Sequence, residues 1–490
     1  MKVGASWMFV GGAALAGCSL LYNPANLPGP AIDAAPDAPP VVVRDQLELM
    51  AAGPHTLFEG QGTGGSRPAV VAITGKNIAD DAVVTLIAAD ASTPALMLEV
   101  DNEHAVRSYG VLAVPVTLPI DPDRGEGLIK LTVQVSQPRG DGSAEPVTQR
   151  LEGQVVLHTL PELDAPITSS AALAPRYARV QLPGTALSFT PGASGAPVVI
   201  SAVGSIELGD VHADASGQVP GPGGASGGPA AGPGGGPGGG KPAGLLTGGV
   251  AVAASGGGFG TAGENGHALL GIGTNPGGQA TGDDYITSYP ANAGSGGGGG
   301  AGTGGGAGGT LELTSGGTLT VGKVSADGGT SATGGGGSGG AIILRAGARA
   351  TFGAVTASGG TGANAGGAGN GGAGRVRYDA PSVGALASLP STGRRGVAFS
   401  DSRDDNPLIT RDAQPAIKLV SEVASAVSFK VFVLDADGTT RAMSTVAFDT
   451  VSVSIELPVE PGYNQICVTP PSGNPGIRES TNCIDLAHVP

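Results

Sequence analysis

Basic residues are scarce in this chain of 490: 25 Lys and Arg, widely scattered, stand against 40 Asp and Glu, for a formal charge of −15. A phosphate-binding face needs clustered Lys and Arg, so nucleic acid is excluded as a partner. Anionic surfaces should repel the chain. Beyond residue 20 no apolar run approaches the roughly 18 to 20 residues that a membrane helix requires. The six histidines, His55, His104, His158, His212, His267 and His488, show no metal-ligand spacing. Neither a transition-metal site nor a cofactor is expected. Aromatic residues make up only 3% and cysteine occurs three times, while glycine occurs 90 times. This composition fits an exported protein, and the length suggests two to four domains.

What is present begins with a secretory pattern over residues 1–17: Lys2, an apolar run from Trp7 to Ala16, then small residues. The run is too short to span a bilayer. Leu15-Ala16-Gly17-Cys18 resembles the lipobox of bacterial lipoproteins. That resemblance implies cleavage before Cys18, a diacylglyceryl group on its thiol and acylation of the new amino terminus. At about 0.8 kcal/mol per buried methylene, several chains make a stable attachment. The partner implied is therefore a membrane, reached through lipid on Cys18. Ser19 follows the cysteine where an aspartate would signal retention. In the sorting rule known for some Gram-negative lipoproteins this implies the outer membrane. Residues 18–44 are rich in Pro, Ala and Asp, with almost nothing to bury, and read as an extended tether.

Residues 45–163 read as short strands separated by turns, at 69–75, 82–87, 110–118, 128–135 and 154–157, the pattern of a β-sandwich. The stretch Ile73-Thr74-Gly75-Lys76-Asn77-Ile78 followed by Asp81-Ala82-Val83-Val84-Thr85-Leu86 resembles the start of a TIG/IPT-type immunoglobulin-like domain. There a strand ends at Gly, turns through Asn and re-enters. Such domains act as spacers or binding modules. Thr74-Gly75-Lys76 is a turn rather than a phosphate loop, because the full motif and its helix are missing.

About two-thirds of all glycines fall between residues 217 and 374. Ordering glycine this dense is entropically costly, which suits a flexible linker. A gapless internal repeat points elsewhere: 198–216, 311–329 and 342–360 align with the same alternation of apolar residues, and the last two copies start 31 residues apart. Residues 175–380 are accordingly expected to form a glycine-rich, parallel β-helix-like solenoid. In it each copy is a rung, the glycine runs leave as loops, Ala253 and its neighbours form a degenerate rung and Arg375 opens a last one. A bundle of polyglycine II helices, known from some glycine-rich adhesins, is the third arrangement the composition allows. Strict Gly-X-Y periodicity fails around residues 232–240, against collagen.

Two Gly-x-Ser-x-Gly matches, at Ser226 and Ser338, lack the strand-to-helix context of a nucleophile elbow. Asp214 and Asp327 occupy equivalent repeat positions, but the third copy has Ser358 there, and His212 is matched by Ser325 and Thr356. A turn role fits them better than glycosidic-bond chemistry. Asp283, Asp284, Tyr285 and Tyr289 form the one acidic and aromatic cluster of the glycine-rich part, a candidate ligand-binding group for sugars. No catalytic residue is assigned.

Residues 381–406 read as a linker, and 407–490 return to strands at 416–420, 427–434, 450–457 and 464–468, with Asp435-Ala436-Asp437-Gly438 as a turn. Gly462-Tyr463-Asn464 resembles the start of a late strand in bacterial immunoglobulin-like modules. In an oxidising envelope Cys467 and Cys483 should pair. The whole reads as an all-β protein: an Ig-like sandwich, a glycine-rich parallel stack and a second Ig-like sandwich projecting outward. It is expected to be a non-enzymatic lipoprotein of the cell envelope with an adhesive, binding or structural role, its partner a polysaccharide or surface protein. The competing expectation is a polysaccharide lyase or glycoside hydrolase built on the stack.

Overall fold

A computed structural model describes residues 42–89, 96, 98–121, 123–190, 196–245, 249–268, 273–281, 294–363, 366–384, 393–402, 404–421, 427–448, 450–469 and 482–490. Residues 42–490 make one compact unit. The described residues are all-β, with 3-10 turns at Arg44–Gln46 and Ser170–Ala172.

The amino-terminal part is two sheets on one core. Strands Glu48–Gly53, Ala69–Lys76, Val111–Thr117 and Glu99–Val100 pair in that order, with Val106–Arg107 beside the third. The second sheet orders Thr56–Phe58, Val147–Thr159, Gly127–Gln137 and Val83–Ala88. Alternation explains the layering: Val71 and Ile73 face Leu131 and Val133 in a shared core, while Thr85 and Ile87 turn to solvent. Asn77 takes the left-handed conformation at φ 58°, and its side chain bridges Val43 N and Gln46 O at 3.1 and 2.9 Å. Asparagine tolerates that conformation by bonding locally, so this turn also pins the point where the chain enters the unit.

The central part is three parallel sheets that the chain visits in rotation. In the first copy it runs through Val198–Ala202, Ile206–Leu208 and Val211–His212. The repeat alignment is the pairing register: Val198 lies opposite Leu311 and Leu311 opposite Ile342, as Ile206 does with Leu319 and Leu319 with Ala350. Arg375–Asp379 continues the first sheet, with Val376 opposite Ile342. Inward positions carry Val198, Ile200, Leu311, Leu313, Ile342 and Leu344, all essentially without solvent contact. A partial turn that the repeat did not reveal, Val180–Leu182 and Leu187–Ser188, covers the start. The stretch 381–406, expected as a linker, instead carries strands: Ser382–Val383 and Gly393–Arg395 extend two of these sheets, and Ala398–Phe399 pairs with Ala416–Val420.

The glycine runs are not loops. Each leaves the same corner, after the shortest strand of one turn and before the longest strand of the next, so successive insertions start only about 4.8 Å apart. Backbones that close must share hydrogen bonds, and they do so with a period of three. Gly335 and Ser338 donate to Gly298 and Ser295; Gly336 and Gly339 donate to Gly369 and Gly372; Gly337 and Gly340 donate to Gly329 and Ala326, all at 2.8–3.0 Å. Three neighbours served in rotation is the pattern of a three-residue-per-turn extended helix, the polyglycine II arrangement. A Cβ on Gly336 would collide with the carbonyl of Gly360, and one on Gly340 with that of Gly309. Ala253 and its neighbours belong to this lattice, not to a further rung: Ala253 donates to His267 and Gly256 to Glu264.

The carboxy-terminal part again has two sheets, Ala398–Phe399, Ala416–Val420 and Ser452–Glu456 in one, and Ile409–Thr410, Asn482–His488, Gly462–Thr469, Val427–Leu434 and Thr440–Phe448 in the other. It does not project. Val70, Ala72, Val111 and Ala113 on the outer face of the amino-terminal sheet pack against Ala487 and Val489. His55 Nε2 also lies 3.0 Å from Asp437 Oδ1.

Candidate functional site

The outward positions of the longest parallel sheet would face water in an isolated stack. Here they are covered, and they carry charge. Arg345 Nη1 donates to Glu312 Oε1 at 2.9 Å and its Nε to Asp379 Oδ2 at 3.3 Å. Arg377 grips Asp379 through both carboxylate oxygens, at 2.9 and 2.8 Å. All four side chains are at most 6% exposed. Val397, Phe429 and Val468 of the carboxy-terminal core lie beside them.

Beside this network opens a cleft of about 480 Å³. Its walls come from three places: Phe58, Gln61, Ser66 and Arg67 of the amino-terminal part; Ser201, Glu312, Thr314 and Arg345 of the parallel sheet; and Gln465, Asn482, Cys483 and Asp485 of the last strands. Arg176 joins them with its guanidinium 4.7 Å from the Phe58 ring centre, a cation–π contact. Arg67 Nη2 donates to the carbonyl of Asn406. On the far wall the Tyr463 hydroxyl donates to Asp485 Oδ1 at 2.6 Å, and Gln465 Nε2 reaches the same oxygen at 3.3 Å. Burial pushes the Asp485 carboxyl above its ordinary range, partly offset by these hydrogen bonds and the Arg67 charge. Burial and the neighbouring Asp485 charge push the Tyr463 hydroxyl well above its own.

The repeat-position carboxylates lie elsewhere, each two residues past a strand of the shortest parallel sheet, and act between turns. Asp214 Oδ1 accepts from Asp327 N at 2.6 Å and Oδ2 from Ser325 Oγ at 2.7 Å. Asp327 repeats the motif one turn on, Oδ1 accepting from Ser358 N at 2.7 Å and Oδ2 from Thr356 Oγ1 at 3.0 Å. Ser358 follows the last strand of that sheet among the described residues. His212 Nδ1 sits 2.6 Å from Ser325 Oγ and 3.5 Å from Asp214 Oδ2, so one ring nitrogen meets both groups and the serine itself bonds the aspartate, rather than the histidine linking the two through opposite ring nitrogens. A hydrolytic triad needs the histidine in the middle.

Ser338 is fully buried in the glycine lattice, accepting from Ser295 N at 2.7 Å and donating to Gly339 O at 3.1 Å. Cys467 and Cys483 are joined across paired strands, 16 residues apart. A loop of that size contributes about 3 kcal/mol of stability. Leu15, Ala16, Gly17, Cys18, Asp283, Asp284, Tyr285 and Tyr289 lie outside the described residues.

Reading the sequence missed the cleft. Glu312, Arg345, Arg377 and Asp379 do stand at outward positions of consecutive copies, and opposite charges recurring there were the available signal. Arg67, Arg176 and Asp485 had none, because only the packing of distant segments brings them to one place. No family model, curated protein or solved structure matches the chain.

Proposed function

We propose that the chain is a non-enzymatic lipoprotein of a Gram-negative cell envelope, held at the outer membrane through lipid on Cys18. Its described body is an Ig-like sandwich, a parallel β-helix-like stack buttressed by glycine helices, and a second Ig-like sandwich folded back on the first. Such a body, carried on the Pro-rich tether, serves to bind a polysaccharide or a surface protein. The observation that carries the non-enzymatic reading is the use made of Asp214 and Asp327. A lyase or hydrolase on the stack would need carboxylates presented to a glycosidic bond. These two are spent on hydrogen bonds to the next turn. The lipobox and the tether support the anchored location.

Two assays test the reading. Metabolic labelling with an alkyne fatty acid should mark the parent chain, and Cys18→Ser should abolish the label and release the protein from membranes. Label retained in Cys18→Ser would overturn the anchor. A depolymerisation screen on acidic and neutral polysaccharides should yield no new reducing ends or unsaturated sugars. Their release would replace the binding reading with a carbohydrate-active enzyme.

A further inference from the structure

An unpaired strand edge invites pairing with another chain unless something blocks it. In the amino-terminal part the edges are blocked. Asn102 Oδ1 accepts from Val84 N at 2.8 Å and its Nδ2 donates to Val84 O at 3.0 Å, which closes the outer edge of Val83–Ala88. Glu48–Gly53 is bulged between Leu49 and Ala51 and gives Ala52 N to Gln154 Oε1 at 2.9 Å. The carboxy-terminal part has an edge without such protection. Thr440–Phe448 pairs with Val427–Leu434 on one side, and among the described residues no side chain or loop bonds its backbone on the other. Its straight stretch, 442–448, carries neither charge nor proline. Arg441, at the bulge before it, is held by Asp435 Oδ2 at 2.7 Å. Ser452–Glu456, the outer strand of the facing sheet, runs next to it. The core between the two sheets is least covered here, since its partly buried members, Ala442, Val453 and Ile455, all belong to these two strands. Met443 in the first strand and Val451 just before the second are 61% and 60% exposed.

Charge and shape select the occupant. A net charge of −15 sets copies of the chain against one another in general, whereas this stretch adds no charge to oppose its own image. Laid antiparallel on itself about Thr445, it sets Ala442 opposite Phe448 and Ser444 opposite Val446 on the core side, a smaller side chain against a larger one each time. On the outer side Met443 meets Ala447, and Thr445 meets its own counterpart. Threonine pairs across antiparallel strands are favourable. Because the pairing is two-fold and uses the same strand of both copies, it closes after two and leaves no edge to propagate.

We propose that Thr440–Phe448 pairs with the same strand of a second copy, joining two carboxy-terminal sheets into one continuous sheet. Pairing through one strand edge from each copy buries less than the roughly 1,200 Å² of a stable complex, so the dimer is reversible and grows with concentration. The test is disulfide trapping in the purified full chain. Thr445→Cys puts a thiol from each copy at the two-fold axis. Under copper–phenanthroline it should give covalent dimer at least about tenfold faster than Thr85→Cys, a solvent-facing position on a blocked edge, because pairing raises the local thiol concentration. Adding Ser444→Lys brings two like charges together at the edge, while in a single copy the position is exposed. The rate should then fall to that of Thr85→Cys. Sedimentation velocity of the parent should show a dimer that increases with concentration and is lost in Ser444→Lys, whose melting temperature stays near the parent's. Equal trapping rates for the two cysteines, or dimers that survive Ser444→Lys, would overturn the proposal. Coupling of Thr445→Cys only to an added extended peptide bearing one cysteine, with no dimer, would also overturn it and give the edge to a foreign strand. The anchored, non-enzymatic reading is judged separately by the labelling and depolymerisation assays.

Discussion

Burial raises the carboxyls of Glu59 and Asp485 above their ordinary values, and both are costs to the fold at neutral pH. Glu59 is compensated, its two oxygens accepting from Asp121 N at 2.9 Å and Leu160 N at 3.2 Å. An acid with a higher pKa in the folded state binds more protons there than in the unfolded chain. Its contribution to stability is thus lost as pH rises from the unfolded value, 3.8 for Asp485, through the raised folded value. Asp485→Asn removes the charge but keeps an oxygen to accept from Tyr463. The variant should melt higher than the parent at neutral pH, and the difference should shrink as pH falls and vanish below about pH 3, under the unfolded value, where the parent carboxyl is protonated in both states. Scanning calorimetry across that interval checks it; a variant less stable than the parent at neutral pH would mean that the Asp485 charge is held by more than the groups described.

At the scale of elements, the rungs were readable because alternation and gapless repetition both follow from parallel pairing in register. The glycine insertions were not readable as structure, since no single insertion carries a pattern. Their order arises only when three of them leave one corner at the strand spacing and share hydrogen bonds in rotation. The same physics makes glycine identity a local requirement that substitution can test. Gly336→Ala places a Cβ on the carbonyl of Gly360, whereas nothing lies within 4 Å of a Cβ at Gly366. Overpacking of this kind costs about 1–3 kcal/mol, and a substitution in open space stays within about 0.5 kcal/mol. Gly336→Ala should therefore lower the melting temperature measurably while Gly366→Ala leaves it near the parent. Equal, small effects from both would show that the glycine lattice contributes little to the body's stability.

The whole molecule departs most from its sequence. Strand patterns locate two separate pairs of sheets on either side of the repeat, but nothing in them says that the second folds back on the first. Small side chains decide it: Ala72, Ala113 and Ala487 let two sheet faces approach, with Val70, Val111 and Val489 filling the seam. Such a seam couples the two ends of the unit and closes the cleft between them. A carboxylate placed there has no partner, and burying one costs several kcal/mol. Ala72→Asp should lower the melting temperature strongly and split a single calorimetric transition into two as the carboxy-terminal sheets detach. Thr85→Asp, the same charge on a solvent-facing position of the other amino-terminal sheet, should stay within about 0.5 kcal/mol of the parent.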